Sequence, residues 1–317
     1  MKRSSKRAPK SEAHQKRTVQ VIAAKPSPVA LRSKRSKKAL VVTPLSTRAK
    51  KLSKRGKAQR SKAAQRGKAA QRGKAAVARP RRLRADAGAV LERLSRAIPQ
   101  PHVELAFDNA WQLLIAVILS AQSTDRRVNQ VTPEVFRRWP NPAALAAADV
   151  AEVEEVIKST GFFRNKTRAI TQASALLVSR FGGEVPRTLD ELVEVPGVAR
   201  KTANVVLGAA HSIASGIVVD THAGRVAQRL GLPRELSPEK IEADLCAHFP
   251  PEHWIGMSHR LVLHGRYVCT ARAPACADCP LNEVCPSRLV PPAGPWEERA
   301  DQQARDMERR SEGFSRV

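Results

Sequence analysis

Aromatic residues are scarce in this chain of 317 residues: seven Phe, four Trp and one Tyr make up 4% of it, and none falls within residues 1–84. Acidic residues are almost absent from the same stretch, which has only Glu12. A segment with no aromatic side chains and a dense charge of one sign cannot bury enough apolar surface to offset its conformational entropy. Residues 1–84 are therefore expected to form a disordered Lys/Arg-rich tail. Long apolar runs are missing too. The longest, around Leu113–Leu119, is too short to span a bilayer and excludes a transmembrane helix; it reads as a helix buried on all sides. Strand-like alternation over four or more residues is also rare, which argues against a β-sheet core.

What is present is charge, unevenly placed. The net charge is +27, and residues 1–84 hold 29 of the 56 basic residues and one of the 29 acidic ones. The tail thus carries +28 and the remainder −1. Within the tail a hexamer repeats as Ala58-Gln-Arg-Ser-Lys-Ala63, Ala64-Gln-Arg-Gly-Lys-Ala69 and Ala70-Gln-Arg-Gly-Lys-Ala75. Two cations per repeat neutralise phosphates without a fixed structure, so salt-sensitive, sequence-independent nucleic-acid binding is expected. A solubilising tail and a targeting segment are the other readings.

Helix signals recur along the remainder, and an all-α body follows. Asp108 or Asn109 fits as the cap of a helix running through Gln122. Ala144–Ser159 is periodic and stops at Gly161. Asn165 fits as the cap of a helix ending at Gly182-Gly183. Thr188-Leu-Asp-Glu191 has the form of a capping box, Gly231 ends a helix, and Ser237-Pro238 starts one.

Four of the five cysteines, Cys269, Cys276, Cys279 and Cys285, have the spacing C-x6-C-x2-C-x5-C. Soft thiolates at such separations converge on zinc or on an iron–sulfur cluster, and spacing does not separate the two. Paired disulfides suit a small secreted domain, whereas this chain is long and shows no secretory signal. Cys246 reads as a buried small hydrophobe.

A second informative stretch runs from Leu192 to Ala203. It predicts a short helix, a tight Pro196-Gly197 turn and a second helix. Outward amides at such a turn and helix start, around Gly197, Val198 and Ala199, form an anion site suited to a backbone phosphate. Read alone, Pro-Gly is an ordinary corner and Lys201 a surface lysine. Downstream, Ile217-Val218-Val219 leads to Asp220, which fits as the cap of the next helix and as a held carboxylate.

Three stretches, Pro196-Gly-Val-Ala-Arg-Lys-Thr-Ala-Asn-Val-Val206, Val219-Asp-Thr-His222 and Leu263-His-Gly-Arg-Tyr-Val-Cys269 with its three further cysteines, resemble the endonuclease III family. The likeness runs from about Phe107 to Cys285. It implies a two-lobed helix–hairpin–helix DNA glycosylase fold. One lobe spans 107–214, the other spans 85–106 with 215–290, and 291–317 follows as a C-terminal tail. It implies a [4Fe–4S] cluster on the four cysteines; a structural role suits thiolates that hold one short loop, and a redox role is the alternative. It further implies a bifunctional glycosylase and apurinic/apyrimidinic lyase acting on oxidised pyrimidines or abasic sites in duplex DNA. Lys201 would attack the sugar, its amine pKa lowered by burial and by the helix N-terminus, and Asp220 would assist it. Gln122 would fill the gap left by the flipped base. Phe162 would wedge beside the unpaired partner, although a core position suits it equally well by sequence. Arg272 would face a phosphate.

Two departures stand out. Ala199 and Val195 replace a second glycine and a leucine of the hairpin, and Ala273 and Ala275 replace basic residues of the cysteine loop. Weaker DNA affinity of the body, offset by the tail, is expected. A monomer with no membrane partner, cytoplasmic and nucleoid-associated, fits this reading; nucleus or mitochondrion are the alternatives. A monofunctional mismatch glycosylase and a non-enzymatic architectural protein are the competing functions. The first should give no covalent adduct with DNA, and the second needs neither Lys201 nor Asp220.

Overall fold

The computed structural model describes residues 83–314, which form twelve α-helices and no strand. The basic segment lies outside the described residues except for Leu83 and Arg84. None of the described helices is long and apolar enough to cross a membrane.

The first apolar cluster forms around α2 (Ala110–Leu119), in which eight of ten residues are buried. Asn109 starts it, its side chain accepting the Gln112 amide at 2.9 Å. A helix apolar on every face must be enclosed, and burying each large aliphatic stabilises by about 1.5–3 kcal/mol. The enclosing helices are α3 (Asp125–Arg138), α4 (Pro142–Ala146), α5 (Val150–Ile157), α6 (Phe163–Phe181), α7 (Leu189–Val193) and α8 (Arg200–His211), which supply Val128, Leu145, Ile157, Leu177, Leu192 and Leu207. The second cluster joins α1 (Ala87–Ala97), the extended segment Ile217–Val219, α9 (Thr221–Arg229), α10 (Pro238–His248) and α11 (Trp254–Tyr267). Helix α8 thus belongs to the first cluster, and the Ile217–Val219 segment with α9 to the second.

Several expected boundaries shift. The buried helix stops at Leu119, and Gln122 follows in a left-handed turn with φ 54°. The periodic stretch 144–159 is two helices, because Asp149 turns its carboxylate onto the amides of Ala151 and Glu152 and begins α5 afresh. Asn165 lies inside α6, whose N-cap position is held by Phe162 at φ 49°. Thr188 caps α7 as expected, and Ser237 occupies the cap position of α10 without a side-chain hydrogen bond.

The expected C-terminal tail contains α12 (Trp296–Phe314), which packs on α1. Ala300 and Met307 join Ala97, Ile98 and Leu263 in a third, small cluster. Arg93 and Arg96 of α1 lie over the Trp296 ring at 4.8 and 5.7 Å.

Candidate active site and cysteine loop

The hairpin is a type II turn. The Val198 amide donates to the Val195 carbonyl at 3.0 Å, Pro196 takes the first central position, and Gly197 takes the second at φ 82°. A Cβ on Gly197 would lie 2.9 Å from the Ala169 methyl of α6, so both backbone and space require glycine here. Ala199 sits at φ −87°, ψ 167°, ordinary extended backbone. The replaced glycine therefore costs this hairpin nothing. Val198 is buried and its amide is taken up inside the turn, so of the three hairpin residues only Gly197 and Ala199 present free, exposed amides. Helix α8 also starts without a side-chain cap, which leaves its first-turn N–H groups open at the positive end of the helix dipole.

Lys201 is the second residue of α8 and is solvent-exposed. The expectation of a buried amine is thus wrong for the protein without DNA, whereas the placement at a helix N-terminus holds. Asp220 caps α9 and is half-buried. Its Oδ1 accepts the amides of His222 and Ala223, each at 2.8 Å, while Oδ2 takes no hydrogen bond. Both residues line an open cleft of about 650 Å³ and a smaller adjoining space of about 80 Å³. Five residues are common to the two spaces: Ser120, Asp125, Lys201, Asp220 and Arg266. They form the waist shared by the two spaces.

The waist is held by charge. Arg266 of α11 donates to Asp125, the first residue of α3, at 2.6 Å, and to the buried Glu104. Tyr267 gives its hydroxyl to the other Glu104 oxygen. These carboxylates hold the Arg266 guanidinium protonated against the desolvation of its half-buried site. Sequence reading named none of Ser120, Asp125 and Arg266 as site residues. Glu104 and Arg266 stand 162 residues apart, and no local pattern announces such a pair.

Gln122 and Phe162 are exposed, Phe162 with 64% of its surface open. The core reading of Phe162 is therefore wrong. Among the described residues only Gln122, Phe162 and Ser212 are non-glycine residues with positive φ. Such backbone is uncommon for a bulky side chain and gathers at functional sites.

The four cysteines ring a cavity of about 220 Å³, and none is in a disulfide. No group of three or more His, Cys, Asp or Glu among the described residues is drawn together around a single ion. Four thiols around one shared space of this size accommodate a polynuclear cluster. Burial pushes the Cys279 thiol up to about 12 and raises Cys285 as well. Thiolates there need a cationic group to form, so binding is coupled to proton release. The loop is braced from α9: Arg229 donates to Cys269 Sγ at 3.1 Å and to the Thr270 carbonyl at 2.8 Å, and Arg225 donates to the Cys269 carbonyl at 3.1 Å. Arg225 and Arg229 were not foreseen, though their spacing of one helical turn from each other, on the helix that Asp220 starts, was a readable signal. Arg272 is exposed on this loop.

Residues 115–251 match the HhH-GPD superfamily of base excision DNA repair proteins, and residues 269–285 match the iron–sulfur binding domain of endonuclease III. Endonuclease III of Synechocystis sp. is 49% identical over 201 residues, 63% of this chain and 92% of that protein. Its counterpart in Bacillus subtilis is 43% identical over 196 residues, 62% of this chain and 89% of that protein. The chain belongs to the endonuclease III family.

A solved structure of a trapped endonuclease III–DNA covalent intermediate, an estranged-adenine complex, superposes with a TM-score of 0.60 at 43% identity, covering 62% of this chain and 92% of that one. As a member of the endonuclease III family the protein is a DNA-binding, base-excision-repair glycosylase and apurinic/apyrimidinic lyase. Its four-cysteine loop is the seat of a [4Fe–4S] cluster. The architectural alternative falls with that assignment.

Proposed function

We propose that this member of the endonuclease III family removes oxidised pyrimidines from duplex DNA and cleaves the strand at the resulting or pre-existing abasic sites, with Lys201 as nucleophile. The observation that carries the reading is that Lys201 and Asp220, whose Oδ2 takes no hydrogen bond, both line the waist shared by the cleft and the smaller space beside it. Lys201 Nζ bonds to the sugar C1′ as the N-glycosidic bond breaks, and the base leaves with a proton. The second amine proton passes to the ring oxygen O4′ as the C1′–O4′ bond opens, which leaves a Schiff base between Nζ and C1′. Removal of a C2′ proton then expels the 3′ oxygen with its phosphate, and water releases the enzyme. Asp220 accepts the lysine proton and stabilises positive charge developing on the sugar. Because Lys201 is exposed in the free protein, its desolvation comes when DNA covers the cleft.

In this reading residues 107–214 form one lobe, residues 85–106 and 215–290 form the other, and DNA lies across the cleft between them. The free amides of Gly197, Ala199 and the start of α8 take a backbone phosphate, and Arg272 takes another. Gln122 enters the stack where the base has left, and Phe162 stacks beside its partner. When bound, the cluster stiffens the loop carrying Arg272 through Cys269, Cys276, Cys279 and Cys285. The chain works as a monomer in the nucleoid, consistent with its sequence pI of about 11.0.

Borohydride trapping on a duplex with one abasic site tests the central claim. The parent should become covalently attached to DNA, and Lys201→Ala should bind without attachment. A parent that binds and carries its cluster yet gives no adduct would instead be a monofunctional glycosylase.

A further inference from the structure

We propose that Glu242 is a positioning residue that sets Lys201 against Asp220, an inference that rests on the catalytic reading above. Glu242 lies on α10, is 8% exposed, and belongs to neither reacting group. Its carboxylate takes both arms of Arg200, the residue immediately before Lys201: Nε to Oε2 at 3.0 Å and Nη2 to Oε1 at 3.0 Å. Asn204, one turn further along α8, donates to Oε1 at 3.0 Å, and its own Oδ1 accepts from Ser215 at 2.8 Å. Two residues on the same side of α8, flanking Lys201, are thus fixed to one buried carboxylate.

The other side of that carboxylate meets the segment leading to Asp220. A Cβ on Gly216 would lie 2.3 Å from Glu242 Oε1 and 3.0 Å from Asn204 Nδ2. Only glycine lets the carboxylate press onto the backbone at that point. From Gly216 the chain runs buried through Ile217, Val218 and Val219 to Asp220. Glu242 therefore touches both the helix that bears the proposed nucleophile and the strand-like segment that bears its partner.

A paired, hydrogen-bonded charge at this depth is costly unless every acceptor is used, and three donor groups use this one. Arg200 is half-exposed, so a surface-only ion pair would contribute little stability. The arrangement is better suited to fixing a distance than to holding the fold. Displacement of a reacting group by about 1 Å costs on the order of 100-fold in rate.

Single-turnover strand cleavage of an abasic duplex, measured with the full cluster-bearing chain beside its affinity for a duplex with a non-cleavable abasic analogue, tests the assignment. Glu242→Ala should cleave about 100-fold more slowly with affinity within about threefold of the parent. Glu242→Gln keeps the shape and one acceptor oxygen, and should fall between the two, about tenfold slow. That variant also decides the matter if Glu242→Ala does not fold. Cleavage by Glu242→Gln and Glu242→Ala at the parent rate, or affinity falling in step with rate, would overturn the positioning role while leaving Lys201 as nucleophile. Absence of a Lys201-dependent adduct from the parent would overturn both.

Discussion

Substituting the hairpin glycine separates backbone geometry from chemistry. Gly197→Ala places a methyl at φ 82°, in the left-handed region, and 2.9 Å from the Ala169 Cβ. The backbone term is about 1–2 kcal/mol. The steric term is that of an overpacked site, about 1–3 kcal/mol, because the neighbour is a short methyl on a packed helix that cannot swing away. Together they predict a loss of roughly 2–5 kcal/mol. For a body of this size each kcal/mol lowers Tm by about 2–4 °C, so Tm should fall by roughly 4–20 °C. Relief of the clash would also move the turn, and with it the free amides of Gly197 and Ala199. Loss of one charge-assisted hydrogen bond to phosphate costs about 1.5–3 kcal/mol, on the order of 10- to 100-fold in affinity. The matched control is Ala199→Gly, which restores the second glycine at φ −87°. A better cap and a freer unfolded chain oppose each other there, and the net change should stay below about 1 kcal/mol. Melting by circular dichroism and titration of a labelled abasic-analogue duplex read both quantities. A silent Gly197→Ala, or an Ala199→Gly that markedly raises affinity, would refute the turn assignment.

Phe162→Gly removes an exposed ring from left-handed backbone, so stability should hold or rise slightly while DNA affinity drops by one stacking contact, about 1–3 kcal/mol; unchanged affinity would end the wedge role. Arg299 of α12 is buried and bonds the Cys279 carbonyl and Glu283, so Arg299→Ala should hasten loss of visible cluster absorbance under a chelator, and an unchanged half-life would count against it. Burial, aided by His102 and Arg260, holds His259 down at about 4. Its unfolded value lies near 6.5, so the unfolded chain takes up that proton first. Stability from this site is complete above about pH 6.5 and is lost as pH falls toward 4. His259→Gln should flatten the urea midpoint between pH 7 and 5, and an unaltered slope would clear His259. Deleting residues 1–84 removes a charge of +28 from a body of −1, so affinity should fall and its salt dependence become shallower; an unchanged slope would show that the tail leaves DNA alone.

The residues legible from sequence are those whose chemistry is concentrated in short stretches. Cys269 to Cys285, the Pro196-Gly197 turn with Lys201 after it, and Asp220 behind an apolar run each carry their own local constraint. The residues that escaped notice act across the fold. Glu104 and Arg266, or Arg200 and Glu242, look like ordinary surface charges until two distant helices bring them together. Gln122 and Phe162 were readable as candidates, but their left-handed backbone was not, since nothing in a Gln or a Phe prefers it. Helix α12 was hidden for a related reason. Its few buried apolar residues, such as Ala300 and Met307, give too weak a period, and what seats it is α1, through Arg93 and Arg96 against Trp296 and Asp301. The same division explains the exposed Lys201. On the proposed role, the sequence singles out Lys201 by its neighbours in the chain, whereas desolvation of its amine is left to the complex with DNA. The free protein needs only to hold Lys201 at the waist of an open cleft.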